Sequence, residues 1–194
     1  MALEGKWPKV KADGRPYYGT THHLIIPGII TDSSTTQALS LNRCHYYPIF
    51  VRTPITIDQV VLEVTTAAAA GKKGRFGIYK ADKNWQPTSL VVASAEIALD
   101  ATAVVTTTLT TTKLEEGRYL MVINCEDTAT FRATRYSGMP FTGFIATLGA
   151  NLFGFLFYAA QAYAALPAAG LAWDTVSAST EGPKYMTFLR VATP

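Results

Sequence analysis

This sequence is short of charge, of cysteine and of histidine. Charged residues make up 16% of its 194 positions, against the usual quarter. That excludes a disordered chain, a coiled coil and a charged nucleic-acid arm. The net charge of +3 is too mild to argue for DNA or RNA as a partner. The two cysteines, Cys44 and Cys125, lie in apolar contexts and read as buried thiols. A disulfide between them stays open, but nothing in the sequence asks for an oxidising compartment. A chain of this length buries about two-thirds of its unfolded surface and needs no staple. The N-terminal MALEGKWPKVKADGR mixes charges with no apolar core, so no secretory signal is expected.

The motifs of common chemistries are also missing. His22 and His23 are adjacent, and neighbours on a strand point to opposite faces, which makes a poor chelate. No Cys-x-x-Cys or His-x-x-x-His spacing occurs, so no metal is expected. Cys44 and His45 are adjacent only in sequence and diverge on a strand, and no Gly-x-Ser-x-Gly elbow is present. The 14 acidic residues fall at turns and solvent faces, with no pair legible for glycoside hydrolysis. Lys72-Lys73-Gly74-Arg75 lies in a turn and is not a phosphate loop; it reads as a solvated hairpin tip. The sequence therefore predicts a non-enzymatic protein without a cofactor.

What is abundant is threonine, 26 residues, and alanine, 27, with 10 Tyr and 9 Phe. β-Branched and aromatic residues favour strands. Ile55–Thr66 is the best strand, with Ile57, Val60, Leu62 and Val64 as core candidates. The phase change between Ile57 and Val60 predicts a bulge. In Arg75–Tyr79 the alternation puts Phe76 and Ile78 on one face. His45–Arg52 contains Pro48, which predicts an edge or a bulge. Further strands are expected over Leu90–Leu99, Val104–Leu109, Gly117–Asn124, Thr128–Arg135 and Lys184–Val191. Thr106–Thr112 suits a half-exposed strand, and Ala67–Ala70 a hairpin tip. Only Tyr158–Leu166 has helical character. About eight to ten short strands with turn signals predict an all-β fold, an antiparallel sandwich or jelly-roll-like domain over 21–194. A short irregular arm precedes it over 1–20.

Three segments carry interaction candidates. Trp7, Lys9 and Lys11 in the arm suit docking onto a neighbouring subunit, or belong to a plain tail. Tyr136–Trp173 contains no charge, but glycines, Asn151, Gln161 and Pro167 interrupt it, so it is not expected to insert in a membrane. Its run Leu152, Phe153, Phe155, Phe157 and Tyr158 needs cover on both faces, which predicts a homo-oligomer interface. The loop ADKNWQPTS offers Trp85 as a stacking face with Asn84 and Gln86 as hydrogen-bonders, the chemistry of glycan recognition. The alternative is that Trp85 packs beneath its own loop.

The stretch YYPIFVRTPITIDQVVLEVTTAAAAGKKGRFGIYKADKNWQPTSLV resembles a β-sandwich domain of tail-fibre and other virion structural proteins of tailed bacteriophages. The likeness is carried by Pro54–Asp82, by LEEGRYLMVI (Leu114–Ile123), by FYAAQAYAALPAAG (Phe157–Gly170) and by the closing PKYMTFLRVA. The resemblance implies a virion component assembled in the host cytoplasm, with reduced cysteines. It implies a trimer in contact with other virion proteins and a host-surface glycan. The expected role is a tail or short-fibre component serving assembly and attachment. A capsid decoration (cement) protein and a free carbohydrate-binding module are the alternatives.

Overall fold

Residues 22–26, 34–51, 54–134, 155–172, 175–178, 184–185 and 187–191 are described by the structure, a computed structural model. The strands in chain order are β1 (His22–Ile26), β2 (Ser34–Leu39), β3 (Arg43–Val51), β4 (Ile55–Thr66), β5 (Lys73–Ala81), β6 (Pro87–Ala93) and β7 (Ile97–Ala98). There follow β8 (Ala103–Leu114), β9 (Gly117–Cys125), β10 (Ala129–Thr134), β11 (Phe155–Ala160), β12 (Thr175–Ala178), β13 (Lys184–Tyr185) and β14 (Thr187–Val191). They form two antiparallel sheets packed face to face, a β-sandwich. The first sheet runs β1-β14-β4-β10-β13, with β2 on β10 and β8 on β4. The second runs β12-β11-β3-β9-β5-β6, with β7 on β5. The chain changes sheet at most connections, so strands close in sequence face each other across the core. There are more strands than expected: Leu90–Leu99 breaks into β6 and β7, Lys184–Val191 into β13 and β14, and β2, β11 and β12 add to the ranges read from the sequence.

The first sheet follows its sequence pattern. Ile57, Val60, Leu62 and Val64 of β4 are all buried. The predicted bulge is present: the register with β8 shifts between Ile57 and Gln59. β8 alternates exposed threonines with inward residues and buries Leu109 and Leu114. Opposite them, Tyr47 and Ile49 of β3, Phe76 and Ile78 of β5, and Met121 and Ile123 of β9 complete one core between the sheets.

The second sheet is buried on its outer face as well. Cys44 and Tyr46, Tyr79, Leu120 and Val122, and Ala159 alternate with the inner set and form a second cluster. Residues 161–172 cover it. This strap is irregular, so its backbone groups need partners from the sheet. The Tyr79 hydroxyl donates to Pro167 O at 2.8 Å and the Tyr46 hydroxyl to Leu171 O at 3.2 Å. Leu90 N–H donates to Ala168 O and Gly170 N–H to Thr88 O, both at 2.8 Å, which closes the edge of β6. At the other end, Cys44 Sγ donates to Gln161 Oε1 at 2.9 Å, and Asn124 Nδ2 donates to Gln161 O at 3.2 Å. The approach is close at Gly77, where a Cβ would lie 2.4 Å from Leu166 Cδ1 and the end of that side chain would have to shift.

Two expectations change accordingly. Tyr158–Leu166 is not helical: β11 runs to Ala160, and Gln161 opens the strap. β3 is not an edge strand along its whole length. It pairs with β9 from Cys44 to Val51 and with β11 from Arg43 to Tyr46. Among the described residues, Pro48 therefore sits in the half with one paired neighbour, the edge-like position a strand proline needs. Among the described residues, no helix is long and apolar enough to cross a membrane.

Candidate functional site

The loop between β5 and β6 is organised by one carboxylate. Asp82 Oδ1 accepts the backbone N–H groups of Asn84 and Gln86, both at 2.8 Å. The backbone closes the same turn: Trp85 N–H donates to Asp82 O at 3.1 Å, and Asp82 N–H to Gln86 O at 3.0 Å. Such side-chain-to-backbone bonds are why aspartate favours turns. They hold Trp85 at a φ of 63°, in the left-handed region. Asn42 has a similar φ of 57°, but asparagine tolerates that conformation. For a bulky residue the strain is of order 1 kcal/mol, so the turn retains an indole where a glycine would be easier.

Trp85 is half-buried against the outer-face cluster, beside Ala81, Leu90 and Leu171. Packing beneath its own domain, one of the two readings of the sequence, thus describes part of the ring. The Arg118 guanidinium lies over it, with Cζ 5.6 Å from the ring centroid, a cation–π distance. Arg118 is exposed and is the direct cross-strand partner of Phe50. Phe50 is 49% exposed at the end of a strand whose residues 44–49 are all buried. Phe50, Arg118 and Trp85 therefore line up where the strap's cover of the second sheet ends. Asn84 is exposed beside them, and Gln86 is half-buried.

Neither Phe50 nor Arg118 stood out in the sequence. The available signal was parity: Phe50 follows Pro48 on the outward phase, and Arg118 precedes Leu120 on the same phase. Reading it required knowing where the cover stops.

Other candidates are placed as follows. Leu152 and Phe153 lie outside the described residues, as do Trp7, Lys9 and Lys11 of the arm. Phe155 and Phe157 lie in β11, where Phe157 pairs with Tyr46. Tyr158 is half-buried, with Arg43 Cζ 4.3 Å above its ring. The basic tip is charge-compensated: Lys72 pairs with Glu126 at 3.0 Å, Lys73 with Glu96 at 2.7 Å, and Arg75 with Glu96 at 3.0 Å.

Cys44 and Cys125 are free thiols, and burial pushes each up to about 12. They are protonated at neutral pH and make poor nucleophiles. Burial lowers His45 to about 4, and its Nε2 lies 3.1 Å from Ser40 O. Among the described residues, no group of three His, Cys, Asp or Glu side chains could hold a metal ion. Comparison with known proteins finds no matching family model, no matching curated protein and no matching solved structure.

Proposed function

We propose that this chain is a non-enzymatic structural component of a tailed-bacteriophage virion, in the tail or a short fibre, serving assembly and host-surface attachment. The observation that supports this best is where the resembling motifs fall. Pro54–Asp82 covers β4, the hairpin tip and β5, one long strand from each sheet. Leu114–Ile123 covers the turn into β9 and most of that strand, and Phe157–Gly170 covers the end of β11 and most of the strap. The residues on which the resemblance was read are thus those that build the frame and seal it, as a structural module requires. A rigid frame carrying a tied loop with an exposed cation and aromatics suits attachment. The proposed assembly is a homotrimer formed in the host cytoplasm and bound to other virion proteins.

Immunogold labelling of intact virions, from a lysate that produces this chain, tests the reading. Gold on the tail is the expected result. Gold on the head moves the assignment to a capsid cement protein. A chain found only outside the particles overturns it.

A further inference from the structure

We propose that Phe50, Arg118 and Trp85 form a contact site for an acidic sugar, a pyranose carrying one carboxylate. This rests on the attachment reading and names the chemistry of its ligand. Phe50 and Arg118 are opposite each other on β3 and β9 and share the outer face. Side chains so placed have Cβ atoms about 5 Å apart, within reach of one sugar ring. Half-exposed Phe50 gives a flat apolar surface for the C–H face of a pyranose. The Arg118 guanidinium lies over the Trp85 ring at a cation–π distance, with Cζ 5.6 Å from the centroid, and its planar fork of N–H donors suits a bidentate acceptor.

The neighbouring carboxylates are largely committed. Asp82 Oδ1 holds the N–H groups of Asn84 and Gln86, and Glu115 pairs with Lys113 at 2.7 Å. Among the described residues, Arg118 enters no ion pair. Exposed Glu116 in the preceding turn offsets exposed Lys83, so the surface is not a strongly positive field. That balance suits a single carboxylate beside a ring and disfavours a polyanion such as nucleic acid. Exposed Asn84, in the same loop as Trp85, carries an amide able to donate to and accept from sugar hydroxyls. The strained Trp85 then acts as a positioning residue that holds the guanidinium.

The test is binding of the full chain to immobilised oligogalacturonate and sialyllactose, each beside its carboxyl-reduced form. Binding to one of the acidic probes and loss on reduction are expected. R118Q weakens binding about tenfold or more, the worth of a hydrogen bond to a charged group. F50A weakens it as well. Arg118 is exposed and Phe50 half-exposed, so both variants stay folded, and binding is measured below the melting temperature of each. No binding to either acidic probe overturns the site, as does binding that survives carboxyl reduction or R118Q. The outcome is separable from the attachment reading. Tail-labelled virions whose adsorption ignores R118Q keep attachment and overturn the acidic-sugar site. Acidic-probe binding sensitive to R118Q, with no chain in the virion, supports the site and overturns the virion assignment.

Discussion

β4 and β9 are long strands near the middle of their sheets, yet they are buried in different ways. β4 buries Ile57, Val60, Leu62 and Val64 toward the core and leaves the intervening residues half-exposed. β9 buries every residue from Tyr119 to Cys125. Its odd-numbered residues face the other sheet, and its even-numbered ones lie beneath the strap. The three buried polar or charged side chains among the described residues, His45, Ser94 and Asn124, belong to the second sheet or its margin. A sheet covered on one face can send its polar groups to water. One covered on both faces must satisfy them internally, which is why strap and sheet are joined by so many hydrogen bonds.

The largest effect that tests this contrast is a core truncation on the supposedly outer face. Leu120→Ala should cost about 2–5 kcal/mol, as much as Leu62→Ala in the inter-sheet core. Val104→Ala, on the outer face of the first sheet where Val104 is 65% exposed, should stay within about 0.5 kcal/mol. Urea unfolding of the three variants makes the comparison. A Leu120 variant as mild as the Val104 one breaks it.

The buried histidine provides the next effect. Burial holds native His45 neutral down to about 4, whereas the unfolded chain binds the proton below about 6.5. The unfolded state therefore takes up more protons as pH falls through this window. His45 contributes full stability above about 6.5 and loses it progressively toward pH 4, by about 3 kcal/mol. Denaturant melts at pH 7 and pH 4 measure the loss, and His45→Gln should remove most of this histidine's share. An unchanged pH slope in that variant contradicts the buried placement.

Smaller effects sharpen the picture. Gly77→Ala makes the end of the Leu166 side chain shift and overpacks the strap, which should cost about 1–3 kcal/mol, read as a lower melting temperature. The Glu63–Arg132 pair on the outer face of the first sheet is 2.7 Å long but over a third exposed on both partners. Glu63→Gln should therefore cost less than about 1 kcal/mol, and added salt should shrink the difference.

The sequence was most readable where burial is one-sided. In β4 the alternation and its phase slip are local, so Ile57, Val60, Leu62, Val64 and the bulge could be read directly. In β9 the run Tyr119–Cys125 has no alternation, and what covers its second face lies some 40 residues downstream at 161–172. Covering both faces was expected for the apolar run near Phe155; among the described residues it is β3, β5 and β9 that show it. Trp85 was recognised as a loop residue of interest. Its left-handed backbone was not, because tryptophan carries no turn propensity and the cause is the Asp82 carboxylate. Arg118 and Phe50 could not be singled out, since each is ordinary until the register places them opposite each other.

The two cysteines report on the two faces of the second sheet directly. Cys44 is buried under the strap, Cys125 in the inter-sheet core, and both are free. Alkylation of the native protein, followed by peptide mass spectrometry over time, measures how each face opens. Both thiols should react equally slowly, at a rate that rises with urea as global unfolding does. Rapid labelling of Cys44 with Cys125 still protected would show that the outer face is open and that the strap does not seal it.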